Sequence, residues 1–306
     1  QIENTLNYSK NFGKHSVNLL LGHTIYENNF RSISGSVQGM PDGIFVLAGA
    51  EQPAISGYAT ENKLISYLGR AIYSYDNKYI LTATFRRDGS SRFSPENKWG
   101  NFPSISAAWG IGKEQFFKNL GLPVSEFKIR TSYGVLGNQE IGDYQYLGSI
   151  TSGISYGTGE PNTLWIGNIQ TDYPAIGLKW ESTSTANVGF DLGLWNGKLD
   201  YTFDYFQKNT SDLLLRVPIP LSVGSSNDPY TNAGKVSNKG FEMGLTYNQK
   251  VGEVNFSITS NISSVKNRVE ELSTGSQILA GSSGSFHGSA VTYSKVGYAI
   301  YSFFFV

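Results

Sequence analysis

Lys128, Arg130, Asp191, Asp200, Asp204 and Glu242 are the residues of this 306-residue chain whose types come nearest to acid–base chemistry. Two carboxylates can serve as general acid and base when they converge on one cleft. Here carboxylates and cations are strung along segments in which polar and apolar residues alternate, and no feature picks out a converging pair. A β-sandwich hydrolase is therefore a weak reading, and a hydrated wall is the expectation. His15, His23 and His287 are scattered without the spacing of a metal site. Cysteine is absent, which removes disulfides and thiolate metal sites and leaves the redox compartment open. Gly110-Ile111-Gly112-Lys113 ends like a phosphate loop, but Ala107 stands where its first glycine belongs and Glu114 where a Ser or Thr is needed. No catalytic residue, metal or cofactor is expected.

Two other groups have the chemistry of binding. Arg86, Arg87, Asp88, Arg92 and Trp99 flank one connection, where they form either a rim that meets a ligand or an ion-paired brace between loops. Tyr144, Tyr146, Tyr156, Trp165 and Tyr173 share one long segment. Their flat faces can stack on sugar rings or peptide side chains, or simply pack that segment.

The elements that carry these residues follow from composition and periodicity. Twenty-four Lys+Arg balance 24 Asp+Glu, which argues against nucleic acid or any other partner gripped through bulk charge. With 14% aromatic residues and 35 glycines, strands and turns are favoured over helices. No apolar run reaches the roughly 20 residues of a membrane helix, the longest being Ile44 to Ala50.

Alternation with a period of two is the dominant signal. In Leu199 to Lys208 the residues Leu199, Tyr201, Phe203 and Tyr205 oppose Asp200, Thr202, Asp204 and Lys208. The same division recurs in Ala186 to Leu194, Phe241 to Tyr247 and Val254 to Ile262, with Phe206 and Ser260 breaking it. Less regular strands are read at about 5–10, 16–27, 63–75, 79–87, 102–111 and 126–137, and a helical turn over Lys113 to Asn119. Tight turns at 11–14, 76–78, 195–198 and 251–253 alternate with long Gly/Ser/Asn-rich loops at about 28–62, 138–177, 212–238 and 273–290.

Long amphipathic strands with short turns at one end and long loops at the other predict an all-β, antiparallel up-and-down transmembrane β-barrel. Tyr75, Tyr79, Trp109 and Trp195 beside the short turns would mark one membrane interface. A soluble sandwich also alternates, but its strands are usually shorter and its turns more frequent.

The run Tyr79-Ile80-Leu81-Thr82-Ala83-Thr84-Phe85-Arg86-Arg87-Asp88-Gly89-Ser90-Ser91-Arg92-Phe93, followed by Trp99-Gly100-Asn101-Phe102-Pro103-Ser104, resembles the barrel of SusC/RagA-type TonB-dependent transporters of Bacteroidetes. The resemblance continues through Leu136-Gly137-Asn138-Gln139-Glu140-Ile141-Gly142, Trp180-Glu181-Ser182-Thr183, Asn232-Ala233-Gly234-Lys235-Val236 and Val296-Gly297-Tyr298, over nearly the whole chain. It implies a barrel of about 22 strands, of which about ten are present, preceded by a plug and an N-terminal extension absent here. The opening Gln1-Ile2-Glu3-Asn4 and the final Val306 agree with an internal piece of 1–306. It further implies a bacterial outer-membrane location in the lipid bilayer, and active import of an oligosaccharide or oligopeptide. The partners it implies are a SusD-like surface lipoprotein and TonB-ExbB-ExbD, engaged through the missing parts. A surface carbohydrate-binding or adhesin β-protein is the alternative.

Overall fold

The computed structural model describes residues 1–39, 42–43, 52–157, 164–220, 222, 227–272, 278–280, 285–286 and 289–303. His287, most of the 273–290 loop, Ile44 to Ala50 and Val306 lie outside these residues. Among them, no helix is long and apolar enough to cross a membrane.

Ten strands make one antiparallel sheet. They are β1 (Ile2–Phe12), β2 (His15–Gln38), β3 (Gln52–Tyr75), β4 (Tyr79–Ser90), β5 (Trp99–Trp109), β6 (Val124–Asn138), β9 (Glu181–Leu194), β10 (Leu199–Ser211), β13 (Lys235–Val251) and β14 (Val254–Glu271). Each pairs with the next, which gives the up-and-down order that the alternation predicts. The loop between β6 and β9 holds the ribbon β7 (Ile150–Gly157) and β8 (Leu164–Gln170), and the loop between β10 and β13 holds β11 (Leu214–Arg216) and β12 (Tyr230–Asn232). The expected helical turn appears as a 3-10 turn, Ile111–Lys113, and a single turn of helix α1, Gln115–Lys118. The barrel is not closed in this fragment.

The hairpin turns have the backbone that right-twisted strands require. Asp76 and Asn77 both hold positive φ, at 53° and 51°, the conformation of a type I′ turn, here made without glycine.

The long segments read as loops contain strands in the structure. The 28–62 segment is mostly strand, because β2 and β3 stay paired from Tyr26↔Leu64 up to Gln38↔Gln52. Their neighbours stop sooner, β1 at Ile2↔Ile25 and β4 at Leu64↔Ser90, so the hairpin rises above the sheet. The 138–177 and 212–238 loops carry the two ribbons, and β13 already begins at Lys235.

Alternation assigns one side of the sheet to oil and the other to water. Leu21, Phe85 and Ile258 are half or more exposed on the apolar side, as a lipid-facing wall demands. The aromatic border is continuous at the short-turn end of β1 to β5. Phe12 stacks on His15 at 5.2 Å, His15 meets Tyr75 at 5.0 Å, Tyr75 meets Tyr79 at 6.4 Å, and Tyr79 stacks on Trp109 at 6.2 Å. Trp195 sits apart from this row on its own turn.

A compact core exists at the other end. Phe93, Phe102, Ile141, Leu178 and Trp180 are all less than a tenth exposed and pack together. Gly100 is the ladder partner of Asp88 and shares its face, and Trp180 lies against Gly100. The cluster therefore sits on the water-facing side, beneath the loops.

Candidate functional site

Charges on the water-facing side form a network over β6, β9 and β10. Lys128 pairs with Asp191 at 2.7 Å. Arg130 holds Asp191 at 2.8 Å and crosses β9 to reach Asp204 at 3.0 Å. Glu242 stands directly opposite Asp204 on the next strand, an arrangement of like charges that a nearby cation offsets. These residues are spread along the wall over four strands, β6, β9, β10 and β13.

The five rim residues do not act as one group, because the strand period separates them. Arg86 and Asp88 point to the water-facing side, where the Arg86 Nε donates to both Asp88 carboxylate oxygens at 2.8 Å and its Nη2 donates to Ser66 at 3.0 Å. Arg87 points to the lipid-facing side, over the ring of Trp99 at 4.9 Å. Arg92 pairs with Asp143 at 2.9 Å and donates to the Gln139 carbonyl, which fastens the loop after β6 to the end of β4. Asn62 donates to the other oxygen of Asp143. Thus Arg86, Asp88 and Arg92 are braces and Arg87 is left facing outward.

The aromatic group is likewise divided. Tyr144 accepts the Glu61 backbone N–H at 3.0 Å and so anchors its loop on β3, and Tyr146 is half-buried. Tyr156 and Trp165 face each other across the β7–β8 ribbon, both more than half exposed. Tyr173 lines a cleft of about 570 Å³ with Lys179, Asp212, Ile219, Tyr230 and Asn232, a volume suited to a small ligand.

Interlocked polar contacts build that cleft. Lys179 pairs with Asp212 at 3.1 Å. Asn232 accepts from the Lys179 N–H at 2.9 Å and donates to the carbonyls of Lys179 and Asp212 at 2.8 Å. Arg216 stands over the Tyr230 ring at 4.6 Å. Asp172 ties three segments by accepting from Ser149, from Asn227 at 2.7 Å and from Thr171 at 3.4 Å. The Ser149 hydroxyl is the largest cause holding the Asp172 carboxyl below the usual carboxylate range, with Asn227 and Thr171 adding to it against burial. Sequence reasoning did not single out Lys179, Asp212, Arg216, Tyr230 or Asp143. Asn232 was legible only as the start of the quoted Asn232-Ala233-Gly234 motif, without a role.

The "TonB dependent receptor-like, beta-barrel" family model matches residues 1–299. The chain belongs to this family. TonB-dependent receptor P3 of Formosa agariphila is 34% identical over 309 residues, covering 99% of this chain and 30% of the relative. TonB-dependent receptor SusC of Bacteroides thetaiotaomicron is 34% identical over 256 residues, covering 81% of this chain and 25% of the relative. The RagAB peptide transporter superposes with a TM-score of 0.83 at 24% identity, over 97% of this chain and 32% of its own. That last likeness concerns the fold. The chain spans about a third or less of the length of these relatives.

As a TonB-dependent receptor barrel the chain is an outer-membrane protein, and its relatives are receptors and transporters rather than enzymes. The resemblance to SusC/RagA-type barrels and the incomplete antiparallel barrel are both borne out.

Proposed function

We propose that this chain is part of the barrel wall and ligand-facing loops of a TonB-dependent importer that takes up oligosaccharides together with a SusD-like lipoprotein. Its short turns face the periplasm and its long-loop end faces outward, the usual arrangement of such barrels. The charged inner wall of Lys128, Arg130, Asp191, Asp204 and Glu242 faces the plug, which TonB moves to open the passage. Substrate rests against the loops.

The observation that carries this reading is the cleft in which the exposed Tyr173 ring stands beside the Lys179–Asp212 pair. A flat apolar face next to fixed donors and acceptors matches a sugar ring, which has an apolar face and a rim of hydroxyls. Calorimetry of the full-length receptor with its lipoprotein, against panels of oligosaccharides and of oligopeptides, tests it. Oligosaccharide binding that Tyr173→Ala weakens about tenfold supports the reading, since tenfold corresponds to ~1.4 kcal/mol. Binding of oligopeptides alone, or a Tyr173→Ala receptor with unchanged affinity, overturns it.

A further inference from the structure

Arg87 is a charged side chain on the side of the sheet that faces lipid. Along β4 the outward positions run Tyr79, Leu81, Ala83, Phe85 and Arg87, and along β5 they run Trp109, Ala107, Ile105, Pro103, Asn101 and Trp99. At about 3.3 Å per residue, Tyr79 to Arg87 is roughly 26 Å of strand and Trp109 to Trp99 roughly 33 Å. A tilt of about 40° turns these into heights of roughly 20 and 25 Å, the thickness of the apolar band of an outer-membrane barrel. If Tyr79 and Trp109 mark the lower border, Arg87 and Trp99 mark the upper one.

The surroundings of Arg87 are those of a headgroup site. Its guanidinium lies over Trp99 at 4.9 Å, Trp99 stacks on Tyr67 at 6.2 Å, and Tyr67 stacks on His23 at 4.9 Å. Asn101 is its ladder partner on β5. Among the described residues no carboxylate pairs with Arg87, whereas its neighbour Arg86 is held by Asp88 and Ser66. A guanidinium at the border of hydrocarbon, set over a tryptophan ring and with no carboxylate partner among the described residues, offers the planar fork that a phosphate accepts bidentately.

We propose that Arg87, with Trp99, Tyr67 and Asn101, binds the phosphate of an outer-leaflet membrane lipid. The site acts from outside the barrel and takes no part in substrate binding. It rests on the outward orientation of the long-loop end given above.

Native mass spectrometry of the full-length receptor in non-ionic detergent tests this, with added diphosphorylated lipid A and, separately, the same glycolipid after removal of its phosphates. The phosphorylated lipid is retained over the dephosphorylated one, Arg87→Gln lowers its retained fraction about fivefold, and Arg87→Lys falls between because it keeps charge without the fork. Equal retention of the two lipids, or of the phosphorylated lipid by wild type and Arg87→Gln, overturns the site. Should Arg87→Gln fail to fold, Arg87→Lys and Trp99→Leu carry the same comparison. Labelling of Thr151→Cys on intact cells reads the orientation separately. Labelled cells with lipid retention unchanged by the variants overturn the lipid site alone, and unlabelled cells overturn the orientation.

Discussion

Arg130 on β6 donates to the Asp204 carboxylate on β10 at 3.1 and 3.0 Å, reaching past the whole width of β9. The residue beneath the bridge is Gly189, the ladder partner of both. A Cβ there would collide with the Asp204 carboxylate and the Phe203 carbonyl. One cation thereby bridges the Asp191 and Asp204 carboxylates of two strands on a face where Glu242 adds a third.

Gly189→Ala tests the bridge. The methyl group forces Asp204 away from Arg130 and should destabilise the full-length protein by about 1–3 kcal/mol, as overpacking does elsewhere. Gly177→Ala, where no atom lies within 4 Å of the new carbon, should stay within about 0.5 kcal/mol. Urea titrations of the receptor refolded into vesicles measure both.

The two faces of β10 should respond differently to charge. Phe203 lies between Phe190, at 5.7 Å, and Phe241, at 6.3 Å, on the lipid-facing side, whereas Thr202 next to it faces water. Phe203→Arg should cost roughly 2–4 kcal/mol and Thr202→Arg far less, in the same folding assay. Equal tolerance of both changes would refute the assignment of the faces.

What was legible in the sequence is what a membrane imposes. β9, β10 and much of β13 and β14 have lipid on one side and water on the other, so their residues must alternate. Phe206 broke the pattern because its ring is buried on the wet side, over the bare backbone of Gly240. The upper halves of β2 and β3 carry no strand signal because both their faces leave the apolar band, and a ladder with water on both sides needs no alternation. Arg86 and Arg87 looked like one cluster because adjacent letters point to opposite sides of a strand. The cleft was legible only through Tyr173, since Tyr173 and Lys179 come from the loop between β6 and β9 and Asp212 and Asn232 from the loop between β10 and β13, and their meeting depends on hydrogen bonds with no periodic trace.

Acid should loosen the short-turn end at one carboxylate. Glu114 accepts from the Tyr79 hydroxyl at 2.6 Å, from the Trp109 indole at 3.3 Å and from Lys78 at 3.2 Å. These donors, Tyr79 first, lower its pKa from the usual value of 4.5. A group that is a stronger acid folded than unfolded stabilises the fold above its unfolded pKa, and the contribution disappears as pH falls through the folded value. Thermal unfolding of the full-length protein between pH 3 and 7 should therefore show a loss on acidification from this site that Glu114→Gln lacks, with the two curves converging at the acid end.

Asn232 should govern the order of the cleft. Its side chain accepts the Lys179 N–H and donates to two carbonyls on different loops, so no water-exposed substitute restores all three bonds at once. Asn232→Ala removes them together. A lost hydrogen bond of this kind is worth about 0.5–1.5 kcal/mol, and release of the Lys179 amide should speed its hydrogen exchange roughly tenfold. Amides in the wall, such as those of β9 and β10, have no part in this clamp and should keep their protection. If Lys179 exchanges at the wild-type rate in the variant, the Lys179–Asp212 ion pair rather than Asn232 holds the loops together, and Lys179→Met should then produce the acceleration instead.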